Sequence, residues 1–257
     1  MFANLMRKLY ALKSKPSYIL DIFTPDTKLT LTLLVFLKRI LFFYDFAVRY
    51  YLYLKLEIST NKINDDCGFL ISKKNEQNDV LNKYRKIAIN TNWEKINAKK
   101  PFLIAKNIDL LDKENIGLVR FIMNPNIIGV VSKYLKQIPV VRSCSLWYSP
   151  NKEFHKGRSQ EFHKDGEDIK QVKVFIPMND ITDINGPLTV INKVDSDIIY
   201  NGLSKYNSKT FLGNVINNQK LSDNLINSFK PKVQRLTAKK FSTIFVDTSN
   251  CYHYGSR

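Results

Sequence analysis

The chain contains three histidines, and two of them lie in segments that could support metal chemistry. One segment reads Phe162-His163-Lys164-Asp165-Gly166, and the other runs from Asp247 to His253. In an extended strand, alternate side chains share a face and two residues advance about 6.6 Å. His163 and Asp165 can therefore direct an imidazole nitrogen and a carboxylate oxygen at one ion. A third ligand has to come from another strand, and His253 follows a predicted strand.

Two histidines and one carboxylate on a rigid β scaffold form the facial triad of non-haem Fe(II) oxygenases. Such a triad leaves adjacent metal positions open for a chelating cosubstrate and O2. A His-x-Asp tripeptide also occurs by chance, so His163 could be a core or loop histidine and Asp165 a turn residue. The interpretation therefore depends on the elements that position these side chains.

The hydrophobic pattern predicts a mostly helical region over residues 1–100. A long helix is predicted from Leu29 to Ile58, and a second, polar helical segment from Asn75 to Asn97. The long helix could dock on a membrane surface, but we expect it to pack as a core helix against the main domain. Its apolar positions at helical spacing are Leu33, Leu34, Leu37, Ile40, Leu41, Tyr44, Val48, Tyr51 and Leu52.

The pattern changes near Pro101, where short strands become the main prediction. A helix is expected over Asn126–Lys136, after a short strand at Phe102–Ala105. Further strands are predicted at Val140–Tyr148, Val172–Met178, Leu188–Ile191, Val233–Leu236 and Ser242–Val246. Short strands joined by turns such as Asn185-Gly186 predict a β sandwich or barrel behind a helical lobe.

A long insertion is predicted between two of these strands, from Tyr200 to Pro231. Within it, Ser222–Phe229 is expected to form a short helix that Ser222 caps. Long insertions in compact domains are often functional, so this segment is either a lid over a substrate or a surface excursion.

Composition excludes several classes of protein. The 257 residues include 44% hydrophobic residues, which is enough for a core and excludes a disordered chain. The apolar stretch Leu29–Leu37 ends at Lys38-Arg39, which predicts no transmembrane helix, and no secretion signal is visible. Three cysteines without a CxxC pair support neither a disulfide framework nor a thiolate site, so a cytoplasmic location fits best.

The net charge of +17 does not by itself indicate nucleic-acid binding. Lysine dominates the 40 basic residues, and the lysines are scattered rather than clustered with arginine and aromatic residues. We therefore expect a solvated basic surface and no specific nucleic-acid partner.

The segment that contains His163 resembles the phytanoyl-CoA dioxygenase family. That family has a His-x-Asp motif, a hydrophobic strand, a short acidic turn and then Asn-Gly-Pro-Leu, which look like His163–Asp165, Lys173–Thr182 and Asn185–Leu188. The family's second histidine follows a strand that ends in an aspartate and lies near a Gly and an Arg, as in Phe245–Arg257. Tyr134–Pro139 looks like the family's helix end before its first barrel strand. The resemblance covers roughly residues 115–257.

The resemblance implies a mostly β domain over residues 101–257, with the double-stranded β-helix (jelly-roll) fold, behind a helical region over residues 1–100. It implies an Fe(II)- and 2-oxoglutarate-dependent dioxygenase that uses O2 to hydroxylate a small-molecule substrate. The implied metal ligands are His163, Asp165 and His253. Phe175 matches an aromatic position beside the cosubstrate, and Ser145 aligns loosely with the same pocket. Asp165 excludes the halogenating branch of the family, which has a small residue there.

One family feature has no clear counterpart. The family holds the distal carboxylate of 2-oxoglutarate with an Arg or Lys on a further strand, whereas this sequence ends at Arg257, four residues past His253. Either Arg257 takes this role or the last strand is absent. We expect the second, with an apolar strand that carries an Arg or Lys beyond Arg257.

Two interpretations without catalysis stay open. The first is a structural metal site, in which zinc is held by His155, His163, His253 and Cys251. The second is an inactive β protein whose basic surface binds polyanions, which predicts binding that weakens steeply with salt.

Overall fold

The computed structural model describes residues 28–56, 61–72, 79–98, 100–150, 159–206 and 220–255. These residues contain more helix than strand, and this is also true of the described part of residues 101–257, for which a mostly β domain was predicted. The helices are α1 (Lys28–Leu41), α2 (Phe43–Lys55), α3 (Asp79–Asn90), α4 (Ile116–Ile122), α5 (Val130–Leu135), α6 (Lys193–Tyr206) and α7 (Asp223–Ser228). Shorter helical turns lie at Trp93–Lys95, Lys113–Asn115 and Asp183–Asn185, with a π-helical turn at Pro125–Gly129.

The described strands form small antiparallel sheets. The strands are β1 (Phe69–Ile71), β2 (Ile104–Asn107), β3 (Ser145–Tyr148), β4 (Val172–Phe175), β5 (Thr189–Ile191), β6 (Val233–Arg235), β7 (Ile244–Asp247) and β8 (His253–Tyr254). The main sheet has the order β1-β7-β4, the second sheet has the order β6-β5-β8, and β2 pairs with β3 in a ribbon. The chain passes repeatedly between the first two sheets, and these described strands do not close into a barrel.

The central strand of the main sheet, β7, is buried on both faces, and its side chains alternate between two cores. On one face, Phe245 packs with Tyr84 and Tyr134 in a core formed mainly by helices. On the other face, Ile244 and Val246 pack with Val190 of the second sheet. The two sheets therefore share a core, and β7 is its central strand.

The strands predicted after Pro101 are confirmed with changed bounds: most are shorter, while Phe102–Ala105 and Ser242–Val246 are shifted to Ile104–Asn107 and Ile244–Asp247. Of the predicted strand Val140–Tyr148, only Ser145–Tyr148 (β3) forms a strand. The predicted helix Asn126–Lys136 is observed as the π-helical turn followed by α5. Ser222 caps α7 as predicted, since its Oγ accepts a hydrogen bond from the Leu225 N–H at 3.4 Å. The start of the predicted insertion belongs to α6, and residues 207–219 lie outside the described residues.

The predicted helix Leu29–Ile58 is observed as α1 and α2, which meet at Phe42. The Phe42 N–H still donates to the Lys38 carbonyl at 2.9 Å, and the Phe46 N–H donates to the Phe42 carbonyl at 3.2 Å. The expectation of a core helix is wrong for these residues: Val35 is buried, but α2 buries none of its residues. No helix within the described ranges has both the length and the apolar character that crossing a membrane requires.

The N-terminal region is not entirely helical, because it supplies β1 to the main sheet. Phe69 and Ile71 pair with Val246 and Ile244 of β7. Just before β1, Gly68 has a φ of +76°, and a Cβ there would lie 2.4 Å from the Cys251 Sγ. Only glycine fits both this backbone conformation and this close approach. A domain boundary at residue 100 would therefore separate β1 from the strand with which it pairs.

Candidate metal centre

His163 and His253 lie directly opposite each other on paired backbone segments. The His163 N–H donates to the His253 carbonyl at 3.1 Å, and the His253 N–H donates to the His163 carbonyl at 3.0 Å. Residues paired in this way project their side chains to the same side of the ladder. The two imidazole ring centres are accordingly 4.5 Å apart.

The residues on either side of His163 point away from the cluster. Phe162 packs against Tyr254 in a separate hydrophobic core. Lys164 forms an ion pair with Asp197 at 3.6 Å, and its ammonium lies 4.9 Å from the centre of the Tyr252 ring. As the sequence predicts for an extended segment, His163 and Asp165 therefore lie on one face, and Phe162 and Lys164 lie on the other.

Asp165 completes a cluster of three buried side chains. Its N–H donates to the Thr248 carbonyl at 2.8 Å, which fixes the segment beside the turn that leads to His253. The Asp165 Oδ2 lies 3.7 Å from the His253 Nε2. One ligand atom from each of His163, Asp165 and His253 lies within 4.8 Å of the others, and each residue is no more than 8% exposed. The sequence prediction that these three residues meet is confirmed.

Backbone carbonyls orient both imidazole rings. The Nδ1 of His163 lies 2.8 Å from the Glu161 carbonyl oxygen, and the Nδ1 of His253 lies 3.0 Å from the Cys251 carbonyl oxygen. A carbonyl can only accept, so each neutral ring carries its proton on Nδ1 and presents the lone pair of Nε2. Metal-binding histidines are commonly oriented by such contacts.

The electrostatics favour neutral imidazoles beside an ionised carboxylate. Burial lowers the pKa of both histidines below the usual range, and at His163 the neighbouring His253 lowers the pKa further. Burial alone would raise the pKa of Asp165, but the charge of His253 when it is protonated, and that of the Lys173 ammonium, outweigh it and hold that pKa below its ordinary value. This is the protonation state in which all three side chains can act as metal ligands.

The cluster fits a divalent metal ion. Among the described residues, the buried Asp165 Oδ2 has no partner in hydrogen-bond geometry, although the Lys173 Nζ lies 2.6 Å from it in an ion pair. Lys173 supplies one positive charge to this buried carboxylate, and the two oriented Nε2 atoms beside it are neutral donors that a metal ion could use. One carboxylate and two imidazoles suit Fe(II) as well as other first-row divalent ions.

Asp247 organises the turn that carries His253. It is fully buried at the end of β7, and its carboxylate accepts a hydrogen bond from the Tyr134 hydroxyl at 2.7 Å. The same carboxylate accepts the backbone N–H groups of Ser249 and Asn250, both at 3.2 Å, and the Asn250 side-chain amide at 2.8 Å. The turn is therefore tied to α5 and to β7 before the chain reaches His253.

The other predicted site residues have different positions. Phe175 lies on β4 two residues after Lys173, so the two share the face that is directed at the second sheet. Ser145 belongs to the ribbon and donates to the Asn107 Oδ1 at 2.8 Å. His155 and Arg257 lie outside the described residues.

Cys251, the remaining residue of the predicted zinc site, does not resemble a thiolate ligand. Burial raises the pKa of its thiol, and its Sγ lies 3.5 Å from the Cys67 carbonyl oxygen.

Sequence reasoning missed the lysines beside this cluster. Lys173 contacts Asp165, and burial lowers the pKa of Lys220 to about 8 although Asp165 opposes this shift. Lys100 and Lys173 also disfavour the charge on Lys220, and Lys100 donates to the Ser159 Oγ at 3.0 Å. The one available signal was the two-residue spacing of Lys173 and Phe175 on a predicted strand, which places both side chains on the same face. Lys100 and Lys220 are distant from this strand in sequence, so no local pattern connects them with it.

No family model and no curated protein matches this sequence. The class of site therefore rests on the geometry of the described residues. It is a buried two-histidine, one-carboxylate cluster that could hold a divalent metal ion.

We predict that Lys173→Met lowers the thermal stability of the metal-free protein because it leaves the Asp165 carboxylate without its positive partner. A divalent ion would replace the lost charge, so the difference in melting temperature from wild type should shrink when Mn(II) is added. Lys173→Arg keeps the charge and serves as the control. An equal loss of stability with and without Mn(II) would contradict this account.

Proposed function

We propose that this chain is an Fe(II)- and 2-oxoglutarate-dependent dioxygenase of the phytanoyl-CoA dioxygenase type that hydroxylates a small organic molecule. The observation that carries the proposal is the buried cluster of His163, Asp165 and His253, with both Nε2 atoms unprotonated and adjacent to the carboxylate. Three protein ligands leave the remaining positions of an octahedral ion for a cosubstrate and O2.

A double-stranded β-helix is the fold that we propose for the region around this cluster. What supports it is the path of the chain: β4 belongs to the main sheet, β5 and β6 to the second, β7 to the main sheet and β8 to the second. Antiparallel strands that pass in this way between two packed sheets are typical of jelly rolls. The core shared by Val190, Ile244 and Val246 also supports it.

The protein's own residues would orient the ligands and receive anions. The Glu161 and Cys251 carbonyls would keep His163 and His253 in the tautomer that binds metal. Fe(II) held by these side chains would supply redox chemistry toward O2. Lys220 and Arg257 are the candidates for holding the distal carboxylate of 2-oxoglutarate, because a dicarboxylate needs a cationic partner away from the metal, whereas Lys173 is already paired with Asp165.

A structural metal site is the second candidate function. It shares the three ligands, but it needs a fourth protein ligand that closes the coordination sphere. Cys251, which was the nearest candidate, is a buried thiol with a raised pKa, and its carbonyl rather than its sulfur faces His253. Among the described residues, this favours an open site over a closed one, while the other candidate, His155, lies outside them.

The test is an anaerobic titration of 2-oxoglutarate into the Fe(II)-loaded protein. We expect a metal-to-ligand charge-transfer band that saturates, because 2-oxoglutarate chelates the iron. Zn(II)-loaded protein is the matched control and should give no band, and succinate should form only after O2 is admitted. Metal binding without the band would favour the structural site, and no metal binding would refute the proposal.

A further inference from the structure

Of the residues that the sequence marks as one apolar face of α1 and α2, all but the half-buried Leu34 are exposed to solvent, and Phe36 is exposed beside them. We define this apolar stripe as the following set: Leu33, Phe36, Leu37, Ile40, Leu41, Tyr44, Val48, Tyr51 and Leu52. Their exposed fractions range from 37% at Val48 to 71% at Tyr44. Contiguous apolar surface of this extent is rare on a soluble protein and usually marks an interaction site.

The stripe faces away from the body of the protein because the opposite side of the helices is attached to it. Val35 is buried on that side. The Arg49 Nε donates to the Ile138 carbonyl at 2.7 Å, and the Ile138 N–H donates to the Arg49 carbonyl at 3.3 Å. Phe46 lies on the same side, 5.3 Å from the Arg49 guanidinium. These contacts hold the two helices along one side and leave the stripe unpartnered among the described residues.

The charges beside the stripe indicate what could cover it. Between Lys28 and Lys55 the sequence has five basic residues and a single acidic one, Asp45. The Lys55 ammonium lies 4.4 Å from the centre of the exposed Tyr51 ring, which belongs to the stripe, whereas Arg39 lies 5.9 Å from the Phe46 ring on the attached side. A cationic group that lies against an aromatic ring of an exposed apolar face is typical of helices at a membrane interface.

A second copy of this chain fits the same surface less well. Each chain carries a net charge of +17, so two copies that meet at a basic helix repel each other, whereas an anionic lipid surface attracts it. The tyrosines of the stripe also suit an interface, where an apolar ring and a polar hydroxyl face different media. With 14 and 13 residues, α1 and α2 are each too short to span a bilayer and would lie in its surface.

We propose that α1 and α2 form a docking surface for anionic membranes, with the apolar stripe inserted among the lipid headgroups and acyl chains. Lys55 contacts the anionic headgroups at its margin. The metal centre lies on other elements, so this inference does not depend on the proposed function. It would bring the protein to substrates that are held in, or released from, a lipid surface.

The experiment is sedimentation of the full chain with phosphatidylcholine vesicles that do or do not contain phosphatidylserine. Binding should require phosphatidylserine and should weaken, without vanishing, as salt is raised, because part of it is apolar. The triple variant Leu37→Ser/Ile40→Ser/Tyr44→Ser should bind at least roughly tenfold more weakly. The matched control is Leu111→Ser/Ile184→Ser, which removes apolar side chains that are 93% and 92% exposed elsewhere.

A spectroscopic readout tests insertion directly. Tyr44→Trp should be quenched by vesicles that contain brominated lipids, whereas Ile184→Trp should give no more quenching than the wild-type tryptophans. Failure of the wild-type chain to bind anionic vesicles would overturn the proposal. So would equal binding by the triple variant, or a dimer in solution that the triple variant converts to monomers while vesicles bind neither form.

Discussion

A His253→Ala protein is expected to bind Fe(II) at least about 100-fold more weakly than the wild type. Substituting a residue that only hydrogen-bonds to a metal ligand already lowers metal affinity about 10- to 100-fold, and His253→Ala removes a ligand itself. His163→Ala should have the same effect, because the two imidazoles enter the cluster as an opposed pair. Isothermal titration under anaerobic conditions measures the affinity, and circular dichroism checks that the variants are folded.

The control for these variants is His155→Ala, which removes the remaining histidine of the chain. The proposed triad does not include His155, so this variant should bind Fe(II) like the wild type. A loss of affinity comparable to that of His253→Ala would instead favour the structural site that includes His155. Unchanged affinity in both His163→Ala and His253→Ala would remove the basis of the proposed function.

The second large effect is expected at Asp247, where Ala should lower the free energy of unfolding by about 3 kcal/mol or more. The substitution leaves the Tyr134 hydroxyl and the Ser249 N–H without their acceptor inside the protein, and leaves the Asn250 N–H with only the backbone carbonyl of residue 247, at 3.3 Å. Because this turn leads to His253, the affinity for Fe(II) should fall as well. Denaturant unfolding of the metal-free protein measures the stability change separately from the metal.

Tyr134→Phe is the graded control for this prediction. It removes one hydrogen bond to the same carboxylate and keeps the ring in its core, so it should cost about 1–2 kcal/mol. The order wild type, Tyr134→Phe, Asp247→Ala in stability would support the view that Asp247 organises the turn. If Asp247→Ala were as stable as the wild type, Asp247 would have no positioning role.

The part of the site that sequence could predict is the part that depends on local geometry. Alternation along a strand is enough to place His163 and Asp165 on one face, and the order of the predicted strands brings His253 toward them. The contact between Lys173 and Asp165 could not be predicted, because it depends on how β4 is placed against a segment outside the main sheet. Such a contact requires the packing of two sheets, which no single segment encodes.

The N-terminal helices show a different limit of sequence reasoning. The spacing of Leu37, Ile40 and Tyr44 correctly predicts one apolar face of a helix, but periodicity does not say what that face contacts. The expected partner was the main domain, whereas the structure turns this face to solvent. Similarly, Phe69–Ile71 is too short an apolar run to be recognised as a strand before its partner β7 is known.

The position of β1 at the margin of the main sheet means that the half of this chain that contains the candidate metal centre is not a separable module. A chain that starts at Pro101 would lose the strand that covers one side of β7, which is buried along its whole length. Its unpaired backbone groups would then form an exposed, apolar sheet edge, and such edges recruit strands from other molecules. Shortened forms would be expected to fail by self-association, and any relative that kept only the later region would need another strand, or a covering loop, beside β7.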